Sequence, residues 1–266
     1  MFLTIFSTYK RNRRIQLRAY PISFMFQRMV GAMLSLLLPV LLYYFVFDKN
    51  LSNDFNSQTN GMNYLFYACL GYCAYSITIA TLMNVGRAFI LEIREETIDS
   101  FLVSPASRIG YFLGVYLEQI GRSLIEFSVI FVFSLFLGMP FEFASIPVMV
   151  FSIFLLSVVS FSMSILLSSV MIFTRDTFIT QNTLFILLTV LSGITFPVKY
   201  LPNSIQIISN LIPLTHAINI FRSIIYLKEV PIQSVYIVAI ESTIYLLTGY
   251  YWFKNIEKKL IEEVLS

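Results

Sequence analysis

Long runs of apolar residues dominate the hydrophobic pattern of this chain of 266 residues. A helix that crosses a bilayer needs about 20 mostly apolar residues, because the hydrocarbon core is about 30 Å thick and each residue advances about 1.5 Å. Six segments meet this requirement, so the pattern predicts an all-α membrane protein in which residues 1–266 form a single transmembrane domain. The predicted spans are residues 29–47, 63–85, 109–137, 144–173, 178–196 and 233–253.

The segment before the first span, residues 1–28, has an amphipathic pattern of its own. Phe2, Ile5, Phe6 and Tyr9 fall at helical spacing, and a cluster of basic residues follows them. This arrangement predicts an interfacial helix with its apolar face in the membrane and its cations among anionic lipid headgroups. A disordered basic tail is the alternative.

The connection between spans two and three, residues 86–108, predicts a short amphipathic helix that ends near Pro105. Acidic residues in its first turn would complement the positive end of the helix dipole. These acids are Glu95, Glu96 and Asp99. The residues that share the apolar face, at spacings of three and four, are Ile98, Phe101 and Leu102. Such a helix is suited to contact a partner, and a solvated turn is the alternative.

The region between spans five and six, residues 197–232, contains Pro197, Pro202 and Pro213. These prolines divide it into pieces too short to cross a bilayer, yet the pieces are too apolar for an aqueous loop. Half-helices that dip back into the outer leaflet reconcile the two observations. A folded cap on the membrane surface is the alternative.

Composition and charge agree with a membrane protein and predict its orientation. The chain is 57% hydrophobic and only 12% charged, with a net charge of +3 that gives no sign of a nucleic-acid partner. Thirteen Lys and Arg residues fall on the side of the termini and four on the opposite side. Because cytoplasmic loops retain Lys and Arg, we expect a multi-pass protein of the cell membrane with both termini in the cytoplasm.

Catalytic and metal-binding chemistry have little support in the sequence. One histidine and two cysteines cannot supply a site that needs several such ligands, so we expect no metal site and no enzyme. No stretch matches G-x-x-x-x-G-K-[ST], the loop that cradles ATP phosphates. If ATP drives this protein, another polypeptide must bind ATP and Mg²⁺.

Two stretches together resemble the permease subunits of ABC-2 type exporters. The first, 97–108, is similar to the coupling segment of that family, which runs into Leu-Val-Ser-Pro-x-Ser-Arg. The second, 191–222, is similar to its Leu-Ser-Gly, Phe-Pro, Leu-Pro, Pro-Leu-Thr-His and Arg series. Glu96 stands where the family often has Gly, and Ile212 where it often has Asn, which leaves the local helix starts open.

The resemblance implies a dimer with a second copy or a paralogue, seated in membrane lipids over two ABC ATPase subunits that bind ATP and Mg²⁺. The segment from Glu95 to Arg108 would lie in a groove of the ATPase. Its apolar face would be the buried contact, and Glu95, Asp99 and Arg108 the polar rim. The residues assigned to this contact are Glu95, Thr97, Ile98, Asp99, Phe101, Leu102, Pro105 and Arg108. Those assigned to the outer half-helices are Pro202, Pro213, His216 and Arg222. The implied cargo is a hydrophobic or amphipathic drug, peptide, lipid or lipid-linked glycan.

Glu241 lies near the middle of the sixth predicted span, where a charged side chain costs about 2.5 to 3.5 kcal/mol. We expect a protonated carboxyl group or a hydrogen bond from Ser, Thr or Tyr of another helix. The residues assigned to a transport path or gate are Glu241, Glu126, Phe196 and Pro197. Interhelical packing is the alternative for Glu241, and a solvated salt-bridge ladder is the alternative for Glu126. A second possible function is an ion- or proton-coupled secondary transporter with Glu241 as its proton site.

Overall fold

A computed structural model describes residues 1–19, 22–47, 53–174 and 178–265. These residues form helices and no β-strand, which confirms the all-α class. The α-helices are α1 (Phe2–Ala19), α2 (Ile22–Ser35), α3 (Leu37–Leu41), α4 (Asn53–Gln58), α5 (Tyr64–Gly86), α6 (Ala88–Arg94), α7 (Ile98–Val103), α8 (Arg108–Phe136), α9 (Ile146–Thr174), α10 (Phe178–Leu191), α11 (Asn203–Asn210), α12 (Pro213–Arg222) and α13 (Ile232–Leu265). Short π-helical turns extend α3 over Leu42–Val46 and α12 over Ser223–Leu227.

Five helical segments within the described residues are long and apolar enough to cross a membrane. They are Met29–Val46, Tyr64–Arg94, Arg108–Phe136, Phe143–Thr174 and Ile232–Glu262. The five correspond to the first, second, third, fourth and sixth predicted spans, as expected for a multi-pass membrane protein. Lys49 and Arg175, two of the cations that predict orientation, lie outside the described residues.

The fifth predicted span, residues 178–196, forms a shorter helix than the sequence indicates. Its helix, α10, ends at Leu191 after 14 residues. Gly193 has a φ of +68°, a left-handed conformation that glycine adopts readily, and Pro197 follows without a backbone donor. The last five residues of this segment, 192–196, therefore form a loop whose carbonyl groups are available to other partners.

Helix α5 lies at the centre of the bundle. Asn63 caps its start by accepting a hydrogen bond from the backbone nitrogen of Leu65 at 3.1 Å, and most of its residues are buried. Helices α8 and α9 pack against it, and α13 packs against α9. Large apolar side chains such as Phe45, Phe136 and Phe154 project outward, as expected of surfaces that face lipid.

Helices α11 and α12 form a bent pair that enters and leaves at one end of the bundle. The angle between them is 85°. At the bend, the Leu211 carbonyl accepts a hydrogen bond from Tyr245, which lies about 20 Å along α13 from its start at a rise of about 1.5 Å per residue. Beyond α12, Tyr226 donates to the carbonyl of Gly61, just before α5. A bent pair of this kind is either a broken span or a re-entrant loop, so the predicted half-helices stay a prediction.

Helix α1 runs parallel to the first half of α8. The carbonyl of Met1 lies beside Gly110, Ile5 and Thr8 lie beside Gly114, and Gln16 accepts a hydrogen bond from Arg122 at 2.9 Å. Phe2, Leu3 and Phe6 stay exposed on the other side of α1. The helix therefore presents an apolar surface outward while it is fixed to α8.

We expect Gly114→Leu to separate α1 from α8. Even a Cβ atom at position 114 would lie 2.7 Å from the Ile5 carbonyl oxygen and 2.7 Å from the Thr8 Cβ, closer than real Cβ atoms approach. Limited trypsin digestion in neutral detergent should then cleave the basic part of α1 about tenfold faster, because cleavage follows the population of the open form. Gly121→Leu is the matched control, since no atom lies within 4 Å of a Cβ there. Equal cleavage of the two variants would contradict this packing.

Candidate functional site

Two short helices, α6 and α7, lead from the end of α5 to the start of α8 and are joined by a turn at Glu95 to Thr97. Glu96 has a φ of +56°, so the chain turns sharply there. Glu95 and Glu96 consequently lie before α7, and Asp99 is the acidic residue within its first turn. The prediction that three acids lie in the first turn of this helix is therefore wrong for Glu95 and Glu96. The left-handed conformation of Glu96 separates the end of α6 from the start of α7.

A buried carboxylate, Glu92, organises this end of the molecule, and sequence analysis missed it. Its side chain forms an ion pair with Arg11 of α1. It also accepts hydrogen bonds from the hydroxyl of Thr97 at 2.6 Å and from the hydroxyl of Tyr111 in α8 at 2.9 Å. The signal in the sequence is an acid within the apolar helix α6. The residue is only 5% exposed, so every partner replaces water that it has lost.

The ion pair between Arg11 and Glu92 bridges solvent and core, with side-chain exposures of 45% and 6%. Burial acts to lower the pKa of the Arg11 guanidinium, but the hydrogen bond to Glu92 and its negative charge raise that pKa above its ordinary value. The Arg11 guanidinium therefore stays charged at neutral pH. The contact that attaches α1 to α6 is therefore also the contact that neutralises the charge of Glu92.

The apolar face of α7 packs against the chain's own helices. The Phe101 ring centroid lies 4.8 Å from that of Tyr111 and 5.6 Å from that of Phe89, and Leu102 is buried beside them. Ile98 is half-buried against the same cluster. The sequence therefore identified the apolar face, but the structure directs it inward. The exposed residues of this segment are Glu95, Glu96, Thr97, Asp99, Ser100, Val103 and Pro105.

Arg108 fixes the end of α7 and does not lie on its exposed rim. Its guanidinium lies 4.4 Å from the Phe101 ring centroid and donates to the carbonyls of Phe101 and Leu102, each at 3.0 Å. A cation at the end of a helix stabilises the helix dipole. Arg108 also forms an ion pair with Glu257 of α13. Helix α7 is thus tied to the last helix of the chain.

These contacts join α1, α6, α7, α8 and α13 into one unit. A displacement of α7 must move the other four helices or break an ion pair or the aromatic cluster. The arrangement can transmit a movement, and it offers α7 as the exposed part on which a partner could act.

The opposite end of the bundle has a buried cation, Arg222, at the end of α12. It is 3% exposed and donates to the carbonyls of Gly193 at 2.8 Å, Ile194 at 2.7 Å and Tyr67 at 3.2 Å. Its guanidinium lies 3.5 Å from the Tyr67 ring centroid. Arg222 therefore holds together α12, α5 and the loop that follows α10.

Glu241 and His216, which the sequence suggested separately, lie together between α12 and α13. The Nε2 atom of His216 is 3.8 Å from Oε1 of Glu241 and 3.0 Å from the carbonyl oxygen of Asn210. Oε2 of Glu241 is buried without a hydrogen-bond partner. No hydrogen bond among the described residues joins Glu241 to Ser, Thr or Tyr, and the other expectation, a protonated carboxyl group, stays a prediction.

The other predicted path residues lie elsewhere. The Phe196 ring centroid is 5.6 Å from that of Tyr64, and Pro197 lines a cavity beside Arg222. Glu126 is half-buried on α8. In the half-helices, Pro202 is the residue before α11 and Pro213 is the first residue of α12, positions where a missing backbone N–H is tolerated.

Residues 7–226 match a family model described as ABC-2 type transporter. The match covers most of the chain, including α1 from residue 7 onward, the segment with Glu92 and α7, and α11 and α12 up to Arg222. No curated protein matches the chain.

Proposed function

This chain belongs to the ABC-2 type transporter family, and on that premise we propose that it is the membrane-spanning permease subunit of an ATP-driven exporter. A separate ATPase subunit binds ATP and Mg²⁺ and hydrolyses ATP. The cargo that we propose is hydrophobic or amphipathic, such as a drug, peptide, lipid or lipid-linked glycan. The outward apolar surfaces and the few charges within the spans support such a cargo.

The observation that carries the proposal is the attachment of α7. Its inner face is fixed by Phe101 and Arg108, while its outer face is free to meet the ATPase. Val103 is 82% exposed, with Asp99 one turn before it on the same helix. We assign the contact to this outer face, with Val103 as its apolar centre and Glu95 and Asp99 as its charged rim.

Movement would pass from α7 by rigid-body displacement. When the ATPase subunits close on ATP, α7 is pushed, and the Arg108 to Glu257 ion pair carries the push to α13. The contacts of Glu92 carry it to α1 and α8. Tilting of spans two and three then opens a route between this permease and a second copy or a paralogue. In this proposal both termini and α7 lie in the cytoplasm, and the half-helices lie in the outer leaflet of the cell membrane.

Val103→Asp is expected to abolish association with the ATPase while leaving membrane insertion intact. Truncation of an interface hot spot costs at least about 2 kcal/mol, roughly thirtyfold in affinity, and a buried unpaired charge costs more. The measurement is co-purification from cells that co-express the tagged chain with an ABC ATPase subunit from the same organism. Val230→Asp is the matched control, because Val230 is also exposed but lies at the opposite end of the bundle. Undiminished association of Val103→Asp would contradict the assigned face.

A second candidate function is a proton-coupled carrier, and the pair of Glu241 and His216 is the observation that favours it. Its test is transport of a labelled amphipathic dye into proteoliposomes that contain this chain alone under a proton gradient. Transport that needs no ATPase subunit and is lost in Glu241→Gln would favour the carrier. Transport that requires the ATPase and ATP supports the exporter.

A further inference from the structure

A polar cavity of about 360 Å³ lies at the end of the bundle away from α7. Its walls come from the end of α4, the start of α5, the loop after α10 and the two half-helices. Its lining includes two cations, Arg222 and Lys199, and no acidic residue among the described part of the chain. Asn210 and Asn219 contribute side-chain amides. The cavity is therefore electropositive and rich in donors, although it lies among apolar helices.

Two buried donors in this cavity have no hydrogen-bond partner. Thr215 is 1% exposed and its hydroxyl is unpaired, and Arg222 is 3% exposed and its Nε is unpaired. The two Nη atoms of Arg222 bond only backbone carbonyls, and no carboxylate forms an ion pair with it among the described residues. Buried polar groups are nearly always hydrogen-bonded, and buried charges are nearly always neutralised. The cavity thus lacks a negatively charged acceptor.

We propose that this cavity binds the oxyanion of a phosphate ester. A phosphate group offers several acceptor oxygens in different directions, which suits donors that come from separate elements. Arg222 and Thr215 would bind from the buried side, Asn219 from the wall and Lys199 from the exposed edge. The volume exceeds that of a bare phosphate, so a small esterified group such as glycerol also fits. The ester could be a phospholipid headgroup or a free phosphate ester, and both present the same chemistry.

Two variants test the site without removing Arg222, whose bonds also hold the fold. Asn219→Asp places a negative charge on the exposed cavity wall, and Thr215→Val removes the unpaired hydroxyl at nearly constant size. We expect each to weaken binding at least about tenfold, because a like charge or a lost donor opposes an anion strongly. Asn255→Asp is the matched control. It makes the same change at an exposed position in the C-terminal half of α13, a helix that does not line the cavity.

The experiment uses the purified full chain in neutral detergent. Inorganic phosphate and glycerol 1-phosphate are titrated by calorimetry at constant ionic strength, with chloride as the reference anion. In a second arm, native mass spectrometry compares binding of phosphatidylglycerol with that of an uncharged diacylglycerol. Thermal unfolding of each variant verifies that it is folded. No ATPase is present, so the result is independent of the proposed transport function.

Saturable binding of the soluble phosphates that weakens in Asn219→Asp and Thr215→Val, but not in Asn255→Asp, supports a site for free phosphate esters. The same pattern with phosphatidylglycerol alone supports a lipid headgroup site. Absence of saturable binding in both arms overturns the proposal. Binding that both cavity variants leave within about twofold also overturns it, because the anion then lies elsewhere.

Discussion

Glu92→Gln is expected to uncouple ATP hydrolysis from transport while the ATPase remains associated. The substitution keeps the size of the side chain but removes the charge that pairs with Arg11 and weakens the bonds from Thr97 and Tyr111. Hydrogen bonds to a buried charged group contribute about 1.5 to 3 kcal/mol each, so the links from α6 to α1 and α8 loosen. The outer face of α7 is unchanged, and the ATPase can still bind. We expect cargo transport in vesicles to fall at least about tenfold, with ATP hydrolysis retained.

Glu229→Gln is the control for this prediction. Glu229 is an exposed acid at the opposite end of the bundle, outside the proposed ATPase contact, so its neutralisation changes the same net charge without breaking a buried contact. A double-mutant cycle of Glu92→Gln with Tyr111→Phe separates the effect of the Tyr111 to Glu92 hydrogen bond from the effect of losing a charge. Residues in contact give non-additive effects, whereas a general charge effect adds to that of Tyr111→Phe. If Glu92→Gln and Glu229→Gln transport equally well, Glu92 does not transmit movement.

The number and position of most spans follow from the sequence for a physical reason. A bilayer admits only segments that satisfy every backbone hydrogen bond internally, so hydropathy alone locates helices such as α5 and α9. The end of α10 is different. It depends on the left-handed conformation of Gly193 and on Arg222, whose bond to the Gly193 carbonyl spans 29 residues of sequence. The hydropathy pattern carries no information about the conformation of Gly193 or about the hydrogen bond from Arg222.

The connection between spans two and three shows the corresponding limit for the functional site. Periodicity reveals that Ile98, Phe101 and Leu102 share a face, but not what covers that face. The cover is the aromatic cluster around Phe89 and Tyr111, which only the folded chain brings together. Glu92 was missed for the same reason, because its partner Arg11 lies 81 residues away.

Gly71→Ala is expected to disrupt the end of the bundle that contains Arg222, and to lower the free energy of unfolding by at least about 3 kcal/mol. A Cβ atom at position 71 would overlap the backbone carbonyl of Ile194 and lie 2.5 Å from Nη2 of Arg222. Backbone cannot move aside as a flexible side chain can, so α5 and the loop after α10 must separate. The bonds from Arg222 to the carbonyls of Gly193 and Ile194 then lengthen or break, which leaves a buried cation without its acceptors.

Thermal and denaturant unfolding in neutral detergent measure this effect, with Gly121→Ala as the control. Both glycines lie within helices, so both substitutions gain about 0.5 to 1 kcal/mol of helix propensity. No atom lies within 4 Å of a Cβ at position 121, whereas position 71 is filled. The difference between the two variants therefore isolates the close approach of α5 to the loop. If Gly71→Ala is as stable as Gly121→Ala, the loop does not lie against α5, and Arg222 cannot make the bonds that fix α12.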